Sequence, residues 1–519
     1  MLLYGHIHNF NAYQNANDNK FVTSISNKIA LNAAISAGSR LVSMAFGLVS
    51  VSLVIRTLGQ EGFGQYSTVL AYLALFVIAA DLGLHSLMAR EISRSERDLS
   101  AVSSNFFSLR FAGTVIFLAL GFLLCFLFPY PIEVKMAIGL GSFGFLFLSM
   151  SQILLVVFQK YLTLHKAAIA EVLGRTVQVL FVYLIYIRFG DLNITTSENM
   201  SQGKVLYLFI LVMSLASLTI FFFEFVFVRK TVKISLNFKF KEWYQILKVA
   251  WPIALSIALT LIYFKIDTIF LSVMKPPEHV GIYGAAYRVL ESLIFFPAMF
   301  AGIMMPILSK EVTKSLKDFN NVLAKSLKAV SVFAFPTAVG GILLSYSIVS
   351  LIGGKEFLAA GLTMQILFIA IGLIFFGNIL GRAVIALDLQ KKATAAYLFG
   401  VVLNVALNII FIPKYSYLGA AWTTVVTELM IVAFLFLLVK LKTDLKVKWG
   451  DLWKILGSCV VMGVFLYAFA NPITEPLPLW KLGIAIVIGA VSYFGALYII
   501  KGVDIKEISS IMNVKPPTS

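Results

Sequence analysis

The sequence predicts an all-α polytopic membrane protein of about fourteen transmembrane helices, built as two parallel six-helix lobes followed by a C-terminal helix pair. Three observations support this: an apolar composition, a series of apolar runs of membrane-spanning length, and basic residues that recur on one side of those runs. Hydrophobic residues make up 60% of the 519 residues and charged residues 13%, against about 45–50% and 25% in soluble domains. Such a composition cannot cover a water-soluble surface.

The apolar runs fall into two groups of six and a final pair. Each is long enough for the ~30 Å hydrocarbon core of a bilayer, which needs about 20 helical residues. The first six lie near residues 30–55, 65–88, 105–128, 135–158, 167–188 and 205–228. The next six lie near 249–273, 283–308, 326–349, 360–386, 393–413 and 418–440, and the last two near 455–471 and 480–500. They are predicted helices one to fourteen.

These runs and the polar segments between them give a domain division. The expected parts are a polar cytoplasmic N-terminus over 1–29, an N-lobe over 30–228, a basic cytoplasmic linker over 229–248, a C-lobe over 249–440, the final helix pair over 441–501 and a cytoplasmic tail over 502–519. Residues 1–27 hold no apolar stretch, so no removable signal peptide is expected.

The basic residues predict the orientation. Most of the 42 lysines and arginines fall in loops on the side that holds both termini. Cytoplasmic loops carry such an excess, so we expect both termini in the cytoplasm and the protein in the cell (inner or plasma) membrane. Because these residues punctuate apolar runs instead of forming a basic domain, the net charge of +17 does not indicate a nucleic-acid partner.

A repeated pattern indicates that the two lobes are copies. Residues 166–179 in helix five match residues 392–405 in helix eleven at one constant spacing, and Gly64 matches Gly281 at a similar one. Short patterns of this kind also recur by chance, but the helix count and the basic linker divide the chain at the same place. Six is an even number, so the copies share one orientation, as in alternating-access transporters whose site lies between the halves.

Charged residues inside the predicted helices mark the candidate site. A charge at the bilayer centre costs about 2.5–3.5 kcal/mol on insertion scales, so it normally faces a cavity or a partner. Arg40 in helix one has no acidic neighbour within a turn, and a polar stripe that includes Ser36 and Ser43 runs beside it. Lys265 and Asp267 in helix seven are two residues apart and cannot face each other. Each of these charges requires a partner from elsewhere.

Two pairs of opposite charge share a helix face. Glu171 and Arg175 are four residues apart in helix five, and Arg288 and Glu291 are three apart in helix eight. Residues at these spacings are neighbours on a helix surface. Each pair either neutralises itself or contributes to the site, and both interpretations stay open.

Basic residues outnumber acidic ones in the predicted membrane interior. A cavity with surplus positive charge suits an anionic substrate, and arginine matches phosphate with two parallel hydrogen bonds. Arg110 and Arg382 lie nearer the cytoplasmic helix ends, where long basic side chains reach lipid head groups, and Asp81 is expected at the same interface.

Several kinds of chemistry have no signature here. The five histidines show no metal-ligand spacing, and the two cysteines lie in apolar runs. No phosphate-cradling glycine loop with its lysine and no nucleophile elbow occurs in the sequence. We therefore expect no catalytic residue, metal or cofactor.

Ordered motifs connect the sequence to a known family. The segments that carry them are 56–66, 81–84 and 89–91 in the first half, and Asp267, 281–288, Pro297, Asn404, Asn408, Pro413, 419–421 and Glu428 in the second. Together they resemble flippases of the Wzx type, which serve polysaccharide and O-antigen (lipopolysaccharide) biosynthesis. These flippases belong to the multidrug/oligosaccharidyl-lipid/polysaccharide exporter (MOP) superfamily.

The resemblance implies a transporter that is not an enzyme. It would flip a polyprenyl-(pyro)phosphate-linked oligosaccharide from the cytoplasmic to the outer leaflet through a cationic central cavity. Depth and charge select the residues expected to contact phosphate or acidic sugar, which are Arg40, Arg175, Lys265 and Arg288. The candidates for coupling to an ion gradient or the membrane potential are Asp267, Glu171 and Glu428. Expected partners are membrane lipid and the polymerase and glycosyltransferases of the same pathway.

Three alternatives stay open. Fourteen helices, where Wzx-type proteins have twelve, leave room for a murein lipid II flippase. A multidrug or ion antiporter of the same superfamily would be expected to have a predominantly acidic cavity. A membrane glycan polymerase or ligase usually needs a sizeable outer loop, and the longest expected outer loop, residues 189–203, is short.

Overall fold

The computed structural model describes residues 4–81, 83–94, 99–190, 202–445, 449–470 and 476–502. Within these ranges the chain is helical almost throughout and has no β-strand. The α-helices are α1 Tyr4–Asp81, α2 Leu84–Arg94, α3 Leu99–Leu124, α4 Ile132–Lys160, α5 Leu164–Phe189, α6 Gln202–Arg229, α7 Phe240–Met274, α8 Pro277–Lys314, α9 Leu316–Gly353, α10 Ala360–Ala386, α11 Gln390–Thr443, α12 Trp449–Ala470 and α13 Leu479–Ile499. The all-α membrane fold predicted from the sequence is confirmed.

Helices α1 and α11 each contain two membrane passes. In the described part of the chain, eleven helical stretches are long and apolar enough to span a membrane, and those over Gly38–Ile92 and Gln390–Thr443 have 55 and 54 residues. That is more than twice the roughly 20 residues of one pass. One residue with left-handed backbone breaks each helix, Gly59 (φ 64) in α1 and Ser416 (φ 54) in α11. The stretch Gly38–Ile92 continues from α1 into α2, past a second such residue, Gly83 (φ 68).

The chain reverses its direction at both breaks. A Cβ built on Gly419 would lie 2.5 Å from the carbonyl oxygen of Phe411, and Asn404 approaches Thr427 to 3.5 Å. At 1.5 Å per residue, a straight helix would hold the latter two roughly 35 Å apart. In the described residues, the eleven stretches hold thirteen passes when those of α1 and α11 are counted twice, and α7, a helix of 35 residues, brings the number to the predicted fourteen.

Some boundaries differ from the predicted ones. Helix α1 begins at Tyr4, inside the predicted polar N-terminus, and α7 begins at Phe240, inside the predicted linker. Predicted helix two, residues 65–88, is divided, because α1 ends at Asp81 and the short helix α2 begins at Leu84 and buries Leu84 and Leu87. Residues 191–201 of the expected outer loop and residues 503–519 of the expected tail lie outside the described residues.

The helices pack as two lobes and an appended pair. In the first lobe α4 packs on α6, and α5 packs on both α1 and α6. In the second, α10 lies at the centre against α8, α9 and α11, while α7 packs on α11. Helices α12 and α13 pack on each other and against α9, around a core that includes Cys459 and Tyr493.

The lobes meet at the end of the molecule that carries the Gly59 turn. A Cβ on Gly64 would lie 1.8 Å from the carbonyl oxygen of Pro277, and a Cβ on Gly281 would lie 2.1 Å from that of Gln60. These distances are far below any van der Waals contact, so only glycine fits at either position. The two glycines that the repeat identifies as counterparts thus lie at one closely packed contact between the lobes.

The segment between α6 and α7 follows an extended course along α3. Ser104 and Ser108 are four residues apart and lie on one face of α3. The Ser104 hydroxyl accepts a hydrogen bond from the N–H of Ser235 (3.0 Å) and donates one to the carbonyl of Lys233 (3.3 Å), and the Ser108 hydroxyl accepts one from the N–H of Asn237 (2.8 Å). This serine ladder ties the segment to the first lobe.

Candidate functional site

A cavity of about 730 Å³ lies between the two lobes. Helices α1, α4, α5 and α6 form its wall on the first lobe, and α7 and α8 form its wall on the second. Residues from both passes of α1 line it, Arg40 from one and Tyr66 from the other, which agrees with a reversal at Gly59.

The charged side chains that line this cavity are more basic than acidic. All four basic residues that the sequence analysis selects for substrate binding are among them: Arg40, Arg175, Lys265 and Arg288. The carboxylates in the lining are Glu171 and Glu291. The structure therefore brings the four cations together from four different helices, while their role in binding stays a prediction.

On the second lobe, one carboxylate holds two cations. Glu291 accepts hydrogen bonds from the Lys265 ammonium and from the Arg288 guanidinium, the latter at 2.9 Å. The Lys265 ammonium also lies 5.6 Å from the centre of the Tyr287 ring, within range of a cation–π contact. The spacing of Arg288 and Glu291 predicts their pairing. Lys265 joins them from a different helix, for which the sequence carries no signal.

On the first lobe, the two arginines of the lining lie beside neutral groups, Arg40 beside an aromatic ring and Arg175 beside an amide. The Arg40 guanidinium lies 5.6 Å from the centre of the Phe295 ring. Arg175 donates to the side-chain oxygen of Gln178 (2.9 Å), and its Nε is buried without a hydrogen-bond partner among the described residues. No ion pair joins Arg175 to Glu171 in the described chain, so this pair does not neutralise itself.

Asp267 lies in a separate polar cluster inside the second lobe. Its carboxylate is buried and accepts hydrogen bonds from Asn408 (2.6 Å), Thr424 (2.7 Å) and Tyr283 (3.3 Å). Asn408 also donates to the side-chain oxygen of Asn404 at 2.9 Å. The motif residues of helices seven, eight, eleven and twelve thus meet around one carboxylate whose hydrogen-bond donors in the described structure are all neutral.

The three candidates for ion coupling do not share one site. Glu171 lines the cavity, whereas Asp267 and Glu428 are buried in the second lobe. Glu428 accepts a hydrogen bond from the Tyr263 hydroxyl at 3.0 Å. Among the described residues, no group of three or more histidines, cysteines or carboxylates is arranged to hold a metal ion.

The expectation that Arg110 reaches lipid head groups is wrong. Its side chain is buried and forms an ion pair with Asp81, which is 19% exposed. Its Nε donates to the Ser149 hydroxyl (2.7 Å) and its Nη2 to the side-chain oxygen of Gln152 (3.0 Å). The sequence does not predict this network, because its members lie on separate helices. An intramembrane arginine and an intramembrane aspartate on adjacent helices are the only sequence signal for it.

Two models of known protein families match the chain. Residues 29–312, more than half of the chain, match the family model of the polysaccharide biosynthesis proteins. The chain belongs to that family. Residues 211–488, again more than half, match the model of the lipid II flippase MurJ, so the chain belongs to this family as well. Both families agree with the resemblance that the sequence motifs indicate.

Curated relatives agree at a lower level of similarity. The chain is 28% identical over 163 residues to the probable low-salt glycan biosynthesis flippase Agl15 of Haloferax volcanii, which covers 31% of this chain and 34% of that protein. It is 25% identical over 170 residues to the probable flippase AglR of the same organism, covering 32% and 35%. The chain thus spans about a third of the length of these two relatives.

Solved structures share the fold. The lipid II flippase MurJ in an inward closed conformation has a TM-score of 0.70 at 17% identity, covering 91% of this chain and 98% of that one. A multidrug resistance MATE family transporter in an inward-facing conformation has a TM-score of 0.61 at 14% identity, covering 79% and 98%. At these identities the likeness concerns the fold alone.

Proposed function

We propose that the protein flips a polyprenyl-(pyro)phosphate-linked oligosaccharide from the cytoplasmic to the outer leaflet of the cell membrane. The glycan head group would cross through the cavity between the lobes while the polyprenyl tail stays in lipid. The observation that carries this proposal is the convergence of four basic side chains from both lobes on one cavity, in a chain that belongs to flippase families.

The chemistry of the lining supports an anionic head group. Arginine guanidinium groups bind phosphate oxygens through paired hydrogen bonds, and a lysine ammonium adds a compact charge. In a partly desolvated cavity these interactions are stronger than in water. We assign phosphate or acidic sugar contacts to Arg40, Arg175, Lys265 and Arg288.

The contact between the lobes supports alternating access. The lobes touch closely at the Gly59 end, where Gly64 packs against Pro277 and Gly281 against Gln60. Hydrogen bonds from Ser52 and Arg56 to backbone carbonyls of α9 add to this contact, so the lobes can separate there by breaking hydrogen bonds and no described ion pair. The proposed cycle opens this end to the outer leaflet and closes the opposite end, with both termini in the cytoplasm.

Coupling to an ion gradient or the membrane potential is assigned to Asp267, Glu171 and Glu428. Asp267 is the best supported, because a buried carboxylate surrounded by neutral donors is costly unless a proton or cation compensates it. Moving one charge across 100 mV is worth about 2.3 kcal/mol, which is enough to bias a conformational cycle.

Lipid II is the second candidate substrate, since residues 211–488 match the MurJ model. The basic surplus of the cavity disfavours a multidrug cation antiporter. A glycan polymerase or ligase is less well supported, because the matched families are flippases. The polymerase and glycosyltransferases of the same pathway are the partners we propose.

A leaflet assay tests the proposal. In cells that lack the protein, lipid-linked glycan should accumulate on the cytoplasmic leaflet, where periplasmic or external glycan-binding probes do not reach it. Loss of a polymerase would instead leave single repeat units exported. Normal amounts of lipid-linked glycan on the outer leaflet of the deletion strain would refute the proposed function.

A further inference from the structure

We propose that Gln152 donates a hydrogen bond to the polar head group of the transported lipid, and that Arg110 is the residue that positions it. The inference rests on the proposed function and adds to it the wall of the cavity on which the head group is recognised. Arg110 is buried, and one of its hydrogen-bond partners, Gln152, lines the cavity.

Arg110 is one of the largest fully buried side chains of the described structure. Asp81 compensates its charge, and Ser149 and Gln152 accept its remaining directed hydrogen bonds. Burying an ion pair is expensive, and a well-packed apolar pair is often equally stable or more so. Of the residues that bond to Arg110, one lines the cavity, and it is Gln152.

The chemistry of arginine determines the orientation of the Gln152 amide. A guanidinium has five N–H donors and no acceptor, so the glutamine must turn its oxygen towards Arg110. The donor NH2 of the same amide then remains for another partner. Because Gln152 is exposed and lines the cavity, that partner is an acceptor located in the cavity.

Other polar groups on the same wall also lack partners. The Nε of Arg175 and the hydroxyl of Ser43 are buried without a hydrogen bond among the described residues, and both residues line the cavity. On the opposite wall, by contrast, Glu291 already holds Lys265 and Arg288. Unsatisfied donors are thus concentrated on the first lobe.

A head group rich in acceptor oxygens complements this wall. Phosphate oxygens and sugar hydroxyls share that chemistry, and buried donors left unpaired cost about 1–3 kcal/mol each until such a ligand satisfies them. The first lobe therefore recognises the head group through donors that lack a partner within the protein, and the second lobe through two cations that are already paired with Glu291.

The test measures binding of two probes to the purified full-length protein in lipid nanodiscs. The probes are undecaprenyl phosphate and undecaprenyl diphosphate bearing one N-acetylglucosamine. Gln152→Leu should weaken binding about 3- to 10-fold, the effect of one lost hydrogen bond. Gln159→Leu is the matched control, because Gln159 is exposed on the same helix and does not line the cavity.

The two probes identify the acceptor. Weaker binding of both probes assigns the hydrogen bond to phosphate, and weaker binding of the glycan-bearing probe alone assigns it to the sugar. If Gln152→Leu binds both probes as the unaltered protein does, the inference is wrong. If the unaltered protein binds neither probe, the proposed function itself fails, and the inference fails with it.

A second set of variants separates positioning from stability. Arg110→Leu leaves the partly buried Asp81 without its partner and should lower the melting temperature. The double variant Asp81→Leu/Arg110→Leu removes both charges and should regain most of the stability, yet bind the probes as weakly as Gln152→Leu. Adding Gln152→Leu to the double variant should then weaken binding no further. A stable double variant with unaltered affinity would show that Arg110 does not position Gln152.

Discussion

Replacing Glu291 with glutamine removes the carboxylate that holds both cations of the second-lobe wall. In the structure Glu291 accepts from Lys265 and from Arg288, and all three side chains are 26% exposed. The substitution preserves the volume of the side chain and leaves Lys265 and Arg288 without a counter-charge. We expect the Glu291→Gln protein to bind an anionic head group more tightly.

The expected gain in binding free energy depends on how strongly the released cations attract an anion in the cavity. Two unit charges 4 Å apart interact by about 1 kcal/mol in water and about 4 kcal/mol at an effective dielectric constant of 20. Because these side chains are partly exposed, their interaction energy should lie nearer the value in water. A gain of roughly 1–2 kcal/mol follows, which is about 5- to 30-fold in affinity.

The assay is a titration of undecaprenyl phosphate into protein in nanodiscs at two salt concentrations. The gain should shrink as salt rises, because the Debye length falls from about 10 Å at 0.1 M to about 3 Å at 1 M. Glu171→Gln is the matched control, since it removes the same charge from the cavity without releasing a paired cation. Equal or weaker binding by Glu291→Gln than by Glu171→Gln would refute the reasoning.

Three further predictions concern the transport cycle. Arg40→Ala should abolish flipping while the protein remains inserted and abundant, and normal glycan export by this variant would remove Arg40 from the cavity assignment. Gly281→Ala places a Cβ 2.1 Å from the carbonyl oxygen of Gln60, so it should hold the lobes apart at the Gly59 end. Distances between spin labels across that contact should increase, and unchanged distances would contradict the packing argument. Asp267→Asn keeps neutral hydrogen bonding but removes the charge, so transport in proteoliposomes should lose its dependence on an imposed ion gradient; a retained dependence would move coupling to the other carboxylates.

The overall plan was predictable because it depends on averages along the chain. Apolar runs report the number of passes, and basic loops report how the passes alternate. The left-handed turn at Gly59 is also readable, since glycine adopts positive φ without penalty. The turn at Ser416 (φ 54) is not, because serine has no preference for positive φ.

The residues of the site could be predicted from the sequence more fully than the ion pairs they form. Depth and charge were enough to select Arg40, Arg175, Lys265 and Arg288, all of which line one cavity. Which charge pairs with which depends on contacts between helices. Neither the bridging role of Glu291 nor the burial of Arg110 follows from spacing within one helix.

The serine ladder on α3 has a consequence for how the connection between the lobes can change over evolution. Its contacts with residues 233, 235 and 237 reach backbone N–H and carbonyl groups and leave the side chains outside the contact. Almost any residue is therefore acceptable there, and the charge of this segment is free to adapt to the membrane surface it faces. Proline is the exception at 233, 235 and 237, because it has no N–H to donate to the serine hydroxyls of α3. The connection is specified mainly by the serines of another helix, and substitutions at Ser104 or Ser108 would loosen it more than most changes in the segment itself.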